Sequence, residues 1–212
     1  MAQTPLANIR IILVEPAGPL NIGSIARVMK NMGLHRLVLV NPQCDPLGRE
    51  ARRMAVHGID VLETAQQVTT LIEGLQGCQK AIATTARLRS LPTRLEPPRV
   101  ALPWLLADGL ESALIFGPED RGLSNEELNH AQRFMGIPAN PAYPSLNLAQ
   151  AVGICCYELY QTQNTTLDPN QTPSQPTPAP IEDLAGYYPA RSSMGAGVGW
   201  DGVWLGSRVV FW

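Results

Sequence analysis

The stretch Ile137-Pro-Ala-Asn-Pro-Ala-Tyr-Pro-Ser-Leu-Asn-Leu-Ala-Gln-Ala-Val-Gly-Ile154 carries prolines at 138, 141 and 144, then runs straight into an apolar segment from Leu148 to Leu159. Each proline fixes φ and removes a backbone donor, so this loop is stiffer than a mere connection requires. The apolar segment has the length of a helix. That places the amides of Ser145, Leu146 and Asn147 at a helix N-terminus, where backbone N–H groups have no intrahelical partner. Two readings fit the residues: the rigid loop grips something small and polar, or it is a turn with Ser145 as the helix N-cap. The rest of the chain decides between them.

Upstream, strand and helix patterns alternate. Asn8–Val14 is a short β-branched run closed by Glu15-Pro16, as a buried strand would be. Asn21 is placed to N-cap a helix over Ile22–Met32, with Gly33 ending it. Arg36–Val40 reads as a strand, Ala51–Val56 as a short helix, Ile59–Leu62 as a strand and Thr64–Leu75 as a helix. Lys80–Thr85, Ala113–Gly117 and Phe134–Ile137 are further strands, and Ser124 and Glu127 have capping-box spacing for a helix to His130. Such alternation predicts an α/β protein with a mainly parallel sheet flanked by helices. Ligands of such sheets lie beyond the carboxyl ends of the strands. Three loops are placed there: Thr84-Thr85-Ala86-Arg87, Gly117-Pro118-Glu119-Asp120-Arg121-Gly122, and the segment from Ile137 to Asn147. Gly117 and Gly122 either let the backbone approach a ligand or satisfy positive φ in a turn. Neither GxGxxG after the first strand nor a Walker A sequence is present, so dinucleotide and nucleoside-triphosphate binding lack their usual fingerprints.

Composition sets the outer limits. The 212 residues are 45% hydrophobic and 16% charged, enough for one domain with a sizeable core. No apolar run approaches the ~18 residues of a membrane span, and Met-Ala-Gln-Thr-Pro lacks a basic leader pattern. Cys44, Cys78, Cys155 and Cys156 show no metal-ligand spacing; the last two sit side by side on an apolar helix and read as buried free thiols. The chain therefore reads as cytoplasmic, metal-free and without membrane contact. Net charge is −2, yet residues 27–99 hold eleven Lys/Arg against six Asp/Glu, and fourteen of the sixteen basic residues are arginine. Arginine suits bidentate phosphate contacts, so a polyanion is expected on the N-terminal half. Residues 162–180 are dominated by Gln, Thr, Asn and Pro and read as a disordered linker. Beyond it, a tail over 181–212 alternates glycines with Trp200, Trp204 and Trp212.

Several separated motifs then resemble the SPOUT superfamily of S-adenosylmethionine-dependent RNA 2′-O-methyltransferases, over about residues 8–161. They are Val14-Glu-Pro, Asn21-Ile-Gly-Ser-Ile-Ala-Arg27, Leu39-Val-Asn-Pro42, Thr84-Thr-Ala-Arg87, Leu114–Leu128 and Asn140–Ala149. The resemblance implies a C-terminal trefoil knot, a topology that sequence patterning alone would argue against. It implies a pocket for S-adenosylmethionine lined by Thr84, Thr85, Ala86, Gly117, Ile137, Pro144, Ser145 and Leu146, with Asn147 supporting the loop. By the same likeness Arg27 is the catalytic residue. An arginine is a poor base, so its work would be to orient phosphate and stabilise charge on the attacking oxygen. Arg49, Arg52, Arg53, Arg87 and Arg89 would contact substrate RNA, together with Arg94 and Arg99; Asn21 and Glu119 match family positions as well, where they either contact substrate or brace the loops. The implied substrate is tRNA, methylated at cytidine or uridine in position 32 of the anticodon loop, by a homodimer in which Arg27 of one subunit faces the cofactor of the other. A ribose methyltransferase for another tRNA or rRNA site, or a knotted RNA-binding module without catalysis, is the alternative. The tail from Pro189 departs from the family's helical C-terminal extension.

Overall fold

The computed structural model describes residues 5–86 and 95–164; the remainder, including Arg87, Arg89, Arg94, most of the expected linker and the whole tail, lies outside the described residues. Six parallel strands form one sheet in the order β3-β2-β1-β5-β4-β6. They are β1 (Ile9–Val14), β2 (Arg36–Val40), β3 (Gln66–Val68), β4 (Lys80–Thr84), β5 (Ser112–Phe116) and β6 (Arg133–Met135). β1 lies in the centre, paired to β2 from Arg10↔Arg36 to Val14↔Val40 and to β5 from Ile9↔Ser112 to Leu13↔Phe116. Parallel sheets are covered on both faces, and the side chains here divide accordingly. Ile9, Ile11 and Leu13 pack with Leu37, Leu39, Ile82, Leu114 and Phe116 in one cluster, while Ile12 and Val14 join Val38, Val40, Ala83 and Ile115 in another. This two-sided burial is why the strands read as continuous apolar runs.

The first cluster is completed by α1 (Pro19–Asn31), α2 (Arg49–Ala55) and α8 (Leu148–Asn164); the second by α4 (Leu71–Leu75) and α7 (Asn125–Leu128). α1 and α2 meet at Gly23, where a Cβ would lie 2.2 Å from the Ala51 carbonyl oxygen and 2.8 Å from the Met54 Cβ. A helical Gly→Ala change ordinarily stabilises by about 1 kcal/mol. At Gly23 the backbone of α2 blocks it, so Gly23→Ala is expected to lower stability by about 1–3 kcal/mol through overpacking. A thermal melt with an unchanged or raised midpoint would show that the two helices are not so closely apposed.

Gly33 has φ +72° and ends α1, with the Gly33 amide donating to Lys30 and the Leu34 amide to Met29, the 5→2 and 6→1 pattern of a Schellman motif. Asn21 is not the N-cap: Gly18 is, and Pro19 supplies the first helical turn, where its fixed φ and missing N–H cost nothing. Ile59–Leu62, expected as a strand, belongs to α3 (Ile59–Glu63), which buries Val61 and Leu62. An apolar run that short fits either period. The helix expected over Thr64–Leu75 is instead β3, a break, and α4, with Thr70 accepting from the Glu73 amide at 3.3 Å as N-cap. β3 has two exposed glutamines and depends on backbone pairing with β2, so it left no apolar signature. Two short helices, α5 (Pro98–Ala101) and α6 (Pro103–Leu106), each begin at a proline in a region given no element from sequence. α8 runs three residues into the stretch assigned by composition to the linker, with the Thr162 hydroxyl donating back to the Glu158 carbonyl at 2.8 Å. Cys155 and Cys156 are buried in it as free thiols. Burial raises both pKa values, that of Cys156 to about 12.

Candidate functional site

Because all six strands are parallel, the loops after β1, β4, β5 and β6 emerge at one edge of the sheet. A cleft opens there between the strand-end loops, where ligands of parallel sheets bind. Its walls are Thr84, Thr85 and Ala86 at the end of β4, the turn Gly117–Leu123 after β5, and Ile137, Pro144, Ser145 and Leu146 after β6, with Met135 and Leu148 behind. Eight of the nine residues expected to hold the cofactor therefore line one cavity. The ninth, Asn147, stands behind the wall. Its side-chain oxygen accepts from the amides of Ala149 at 2.9 Å and Gln150 at 3.3 Å. Asn147, and not Ser145, caps α8, which leaves the Ser145 hydroxyl exposed at the cleft.

The turn after β5 is shaped by contact. A Cβ on Gly117 would sit 2.3 Å from the Leu123 amide nitrogen and 2.4 Å from the Gly122 carbonyl carbon, so the backbone folds back on itself where only glycine fits. Gly122 has φ +66° and open space around it. Of the two glycines, the first answers to close approach and the second to conformation. Thr84 donates its hydroxyl to the Ile115 carbonyl at 2.9 Å, tying the β4 rim to β5.

Glu119 joins three loops. Its carboxylate accepts from the Ala17 and Gly18 amides, both at 3.1 Å, and from the Asn21 side-chain amide at 2.8 Å. The Asn21 oxygen in turn accepts from the Asn147 side chain at 3.0 Å. Desolvation works to raise the Glu119 pKa, but donation from Asn21, Ala17 and Gly18 outweighs it and holds the group below the ordinary carboxylate range. The chain Asn147–Asn21–Glu119 thus fastens the start of α1, the β5 turn and the α8 loop to one another. A second tie was missed from sequence. Arg121 donates to Glu15 at 2.7 Å and to both Glu127 oxygens at 2.9 Å, while the Glu127 carboxylate also closes the Ser124 capping box. Glu15 lies 106 residues away and ends β1 at φ 46°. Only the Ser124/Glu127 half of this arrangement left a local trace.

Arg27 does not line the cleft of its own chain. It follows Asn21 by six residues, which at ~100° per residue falls about 120° short of two full turns, while Asn21 faces Glu119 and Asn147. Its side chain is exposed, with no hydrogen-bond or ion-pair partner among the described residues. The turn after α2 packs beside it, since a Cβ on Gly58 would lie 2.8 Å from the Arg27 Cα. Arg49, Arg52 and Arg53 are exposed on α2. Arg52 is already engaged, by Glu63 at 3.1 Å and the Leu47 carbonyl at 2.8 Å; Arg49 and Arg53 have no such partner among the described residues. Arg99 is mostly exposed and meets Glu158 at 3.1 Å. Among the described residues there is no group of three or more His, Cys, Asp or Glu able to hold a metal ion, and no helix long and apolar enough to cross a membrane.

A parallel sheet whose strand-end loops close around one cleft has the arrangement of a ligand-binding α/β protein. Residues 8–157 match the SpoU rRNA Methylase family, and the chain belongs to that family. It is 42% identical over 187 residues to the tRNA (cytidine/uridine-2′-O-)-methyltransferase TrmJ of Escherichia coli strain K12, covering 86% of this chain and 76% of that protein. The crystal structure of TrmJ from Z. mobilis ZM4 superposes with a TM-score of 0.68 at 33% identity, covering 87% of this chain and 78% of that one. The SpoU methyltransferase AviRb from Streptomyces viridochromogenes, solved in complex with the cofactor AdoMet, shares the fold with a TM-score of 0.59 at 21% identity, over 74% of this chain and 58% of that one.

Proposed function

We propose that this protein methylates the ribose 2′-hydroxyl of tRNA with S-adenosylmethionine, at a cytidine or uridine that opens the anticodon loop, and that it does so as a homodimer. The observation that carries the reading is the cleft lined by Thr84–Ala86, Gly117–Leu123, Ile137 and Pro144–Leu146, in a chain so similar to TrmJ. The cleft suits a nucleoside-bearing cofactor: Ile137, Leu146, Met135 and Leu148 give apolar walls, while the stiff loops offer fixed backbone polar groups. Held by these loops, S-adenosylmethionine would supply an electrophilic methyl group for the ribose 2′-oxygen, the thioether product being the leaving group and the hydroxyl proton passing to the adjacent phosphate or to water. The residues contribute placement. Asn147, Asn21 and Glu119 hold the cofactor loop against the start of α1, and Arg27 orients the target phosphate and stabilises negative charge growing on the 2′-oxygen.

Pairing of subunits reconciles the cleft with Arg27, which points away from it on the same chain. Support comes from apolar side chains left exposed on adjacent helices: Leu20 on α1, and Ile154, Tyr157 and Tyr160 on α8. The trefoil knot belongs to the same reading, supported by the way the chain crosses from β5 beyond β4 to β6 and then returns α8 to α1. So does the division into a methyltransferase domain closing with α8, a linker and a tail.

Phosphate contacts test the RNA side. Each neutralised phosphate steepens the salt dependence of binding by about 0.7–0.9 in log–log slope. Arg49→Ala with Arg53→Ala should therefore flatten the slope for tRNA by about 1.5, whereas Arg52→Ala, whose side chain is held by Glu63, should change it less. Equal slopes for all variants in filter-binding titrations would remove α2 from the phosphate footprint. The activity itself is tested by incubating the full chain with tRNA transcripts and labelled S-adenosylmethionine, and mapping the methylated nucleotide by mass spectrometry.

A further inference from the structure

The loop that closes the cleft displays its one aromatic ring to solvent. Tyr143 is 78% exposed, the highest value among the large hydrophobic side chains left outside the core of the described residues. The display is built. The Ala142 amide donates to the Asn140 side-chain oxygen at 3.0 Å, the Tyr143 amide donates to the Asn140 carbonyl at 2.9 Å, and prolines 141 and 144 bracket the turn. Its phenolic oxygen has no hydrogen-bond partner among the described residues. Pro144, Ser145 and Leu146, the next residues along, line the cleft. A stiff turn therefore holds a bare π-face at the lip of the methyl-donor site.

We propose that Tyr143 is the stacking platform for the base of the nucleotide whose ribose is methylated; this rests on the tRNA reading above. Chemistry at a loop ribose requires its base to leave the neighbouring stack, and unstacked bases are received on aromatic side chains. An enzyme of this kind that accepts both cytidine and uridine cannot rely on their Watson–Crick edges. Cytosine presents an amino donor where uracil presents a carbonyl acceptor, and a site built to bond one rejects the other strongly. A π-face makes no such distinction, because every base has one. Tyr143 then acts as a positioning residue on the RNA side of the cleft, separate from the groups that hold the cofactor.

The test is a cycle between the ring and the base. Methyl transfer by the full chain is measured on tRNA with its natural target nucleotide, and on tRNA in which that nucleotide keeps its ribose but lacks the base. On natural tRNA, Tyr143→Ala should lower kcat/KM by about 5- to 150-fold, the range that base–aromatic stacking spans, and Tyr143→Phe should keep most of it. On abasic tRNA the unsubstituted protein should fall toward the Ala variant, and Tyr143→Ala should cost little more. S-adenosylmethionine affinity by calorimetry should be the same for all three proteins. Equal losses on natural and abasic tRNA overturn the proposal. So does a Phe variant as impaired as Ala, a cofactor affinity that falls in step with activity, or an altered oligomeric state in Tyr143→Ala. If the unsubstituted protein methylates no tRNA, the substrate reading fails and the platform falls with it.

Discussion

Arg27→Ala is expected to reduce methyl transfer to tRNA by at least about 100-fold, the scale of removing one group that stabilises a developing oxyanion. Its affinity for S-adenosylmethionine should be unchanged within error. The dissociation of the two effects follows from geometry. Arg27 is exposed on α1 and absent from the cleft formed by its own chain, so its loss leaves every cofactor-loop residue in place. Leu146→Trp should do the reverse, filling the cleft and abolishing cofactor binding while Arg27 stays intact. Mixed after subunit exchange, the two inactive proteins should recover part of the activity. One of the two composite sites in a heterodimer then has both a native cleft and a native arginine. If both variants fold and subunits exchange, yet no activity returns, the shared site is wrong. A monomeric form with full activity would exclude it more directly.

How much of this was legible depended on where each residue draws its stability. β1, β2, β4 and β5 are buried on both faces, so Ile-Ile-Leu-Val, Leu-Val-Leu-Val, Ala-Ile-Ala and Ala-Leu-Ile-Phe declared themselves as apolar runs. β3 is held by main-chain pairing and exposes its glutamines, and nothing in its side chains could announce it. The capping box at Ser124 and the glycine end of α1 are local and were readable. Asn21 was misread as a cap because its real partners, Glu119 and Asn147, lie 98 and 126 residues away. Residue periodicity pointed to three loops at the sheet edge but could not join them. The individual lining residues came from motif resemblance, and the structure brings them to one cavity. Arg121 shows the remaining blind spot: a charged side chain in a glycine-bracketed turn looks solvated until Glu15 and Glu127 are folded around it.

Gly117→Ala should be the most damaging single methyl group that can be added at the cleft. The new Cβ would lie 2.3 Å from the Leu123 nitrogen and 2.4 Å from the Gly122 carbonyl carbon, and both are backbone atoms of the same turn. No rotamer change relieves such a clash, so the Gly117–Leu123 turn must open. Opening it displaces Glu119, and with it the acceptor that binds Ala17, Gly18 and Asn21. Cofactor affinity should fall by at least about 100-fold, roughly 2.7 kcal/mol at 1.36 kcal/mol per decade, together with a lower melting temperature. Gly122→Ala provides the control within the same turn. Nothing lies within 4 Å of its Cβ, and φ +66° imposes only the left-handed cost of about 1–2 kcal/mol for a residue with a side chain. That variant should lose some stability but retain most of its cofactor affinity relative to Gly117→Ala. Calorimetric titration of both proteins with S-adenosylmethionine separates the outcomes. If Gly117→Ala binds as well as Gly122→Ala, this cleft does not hold the methyl donor.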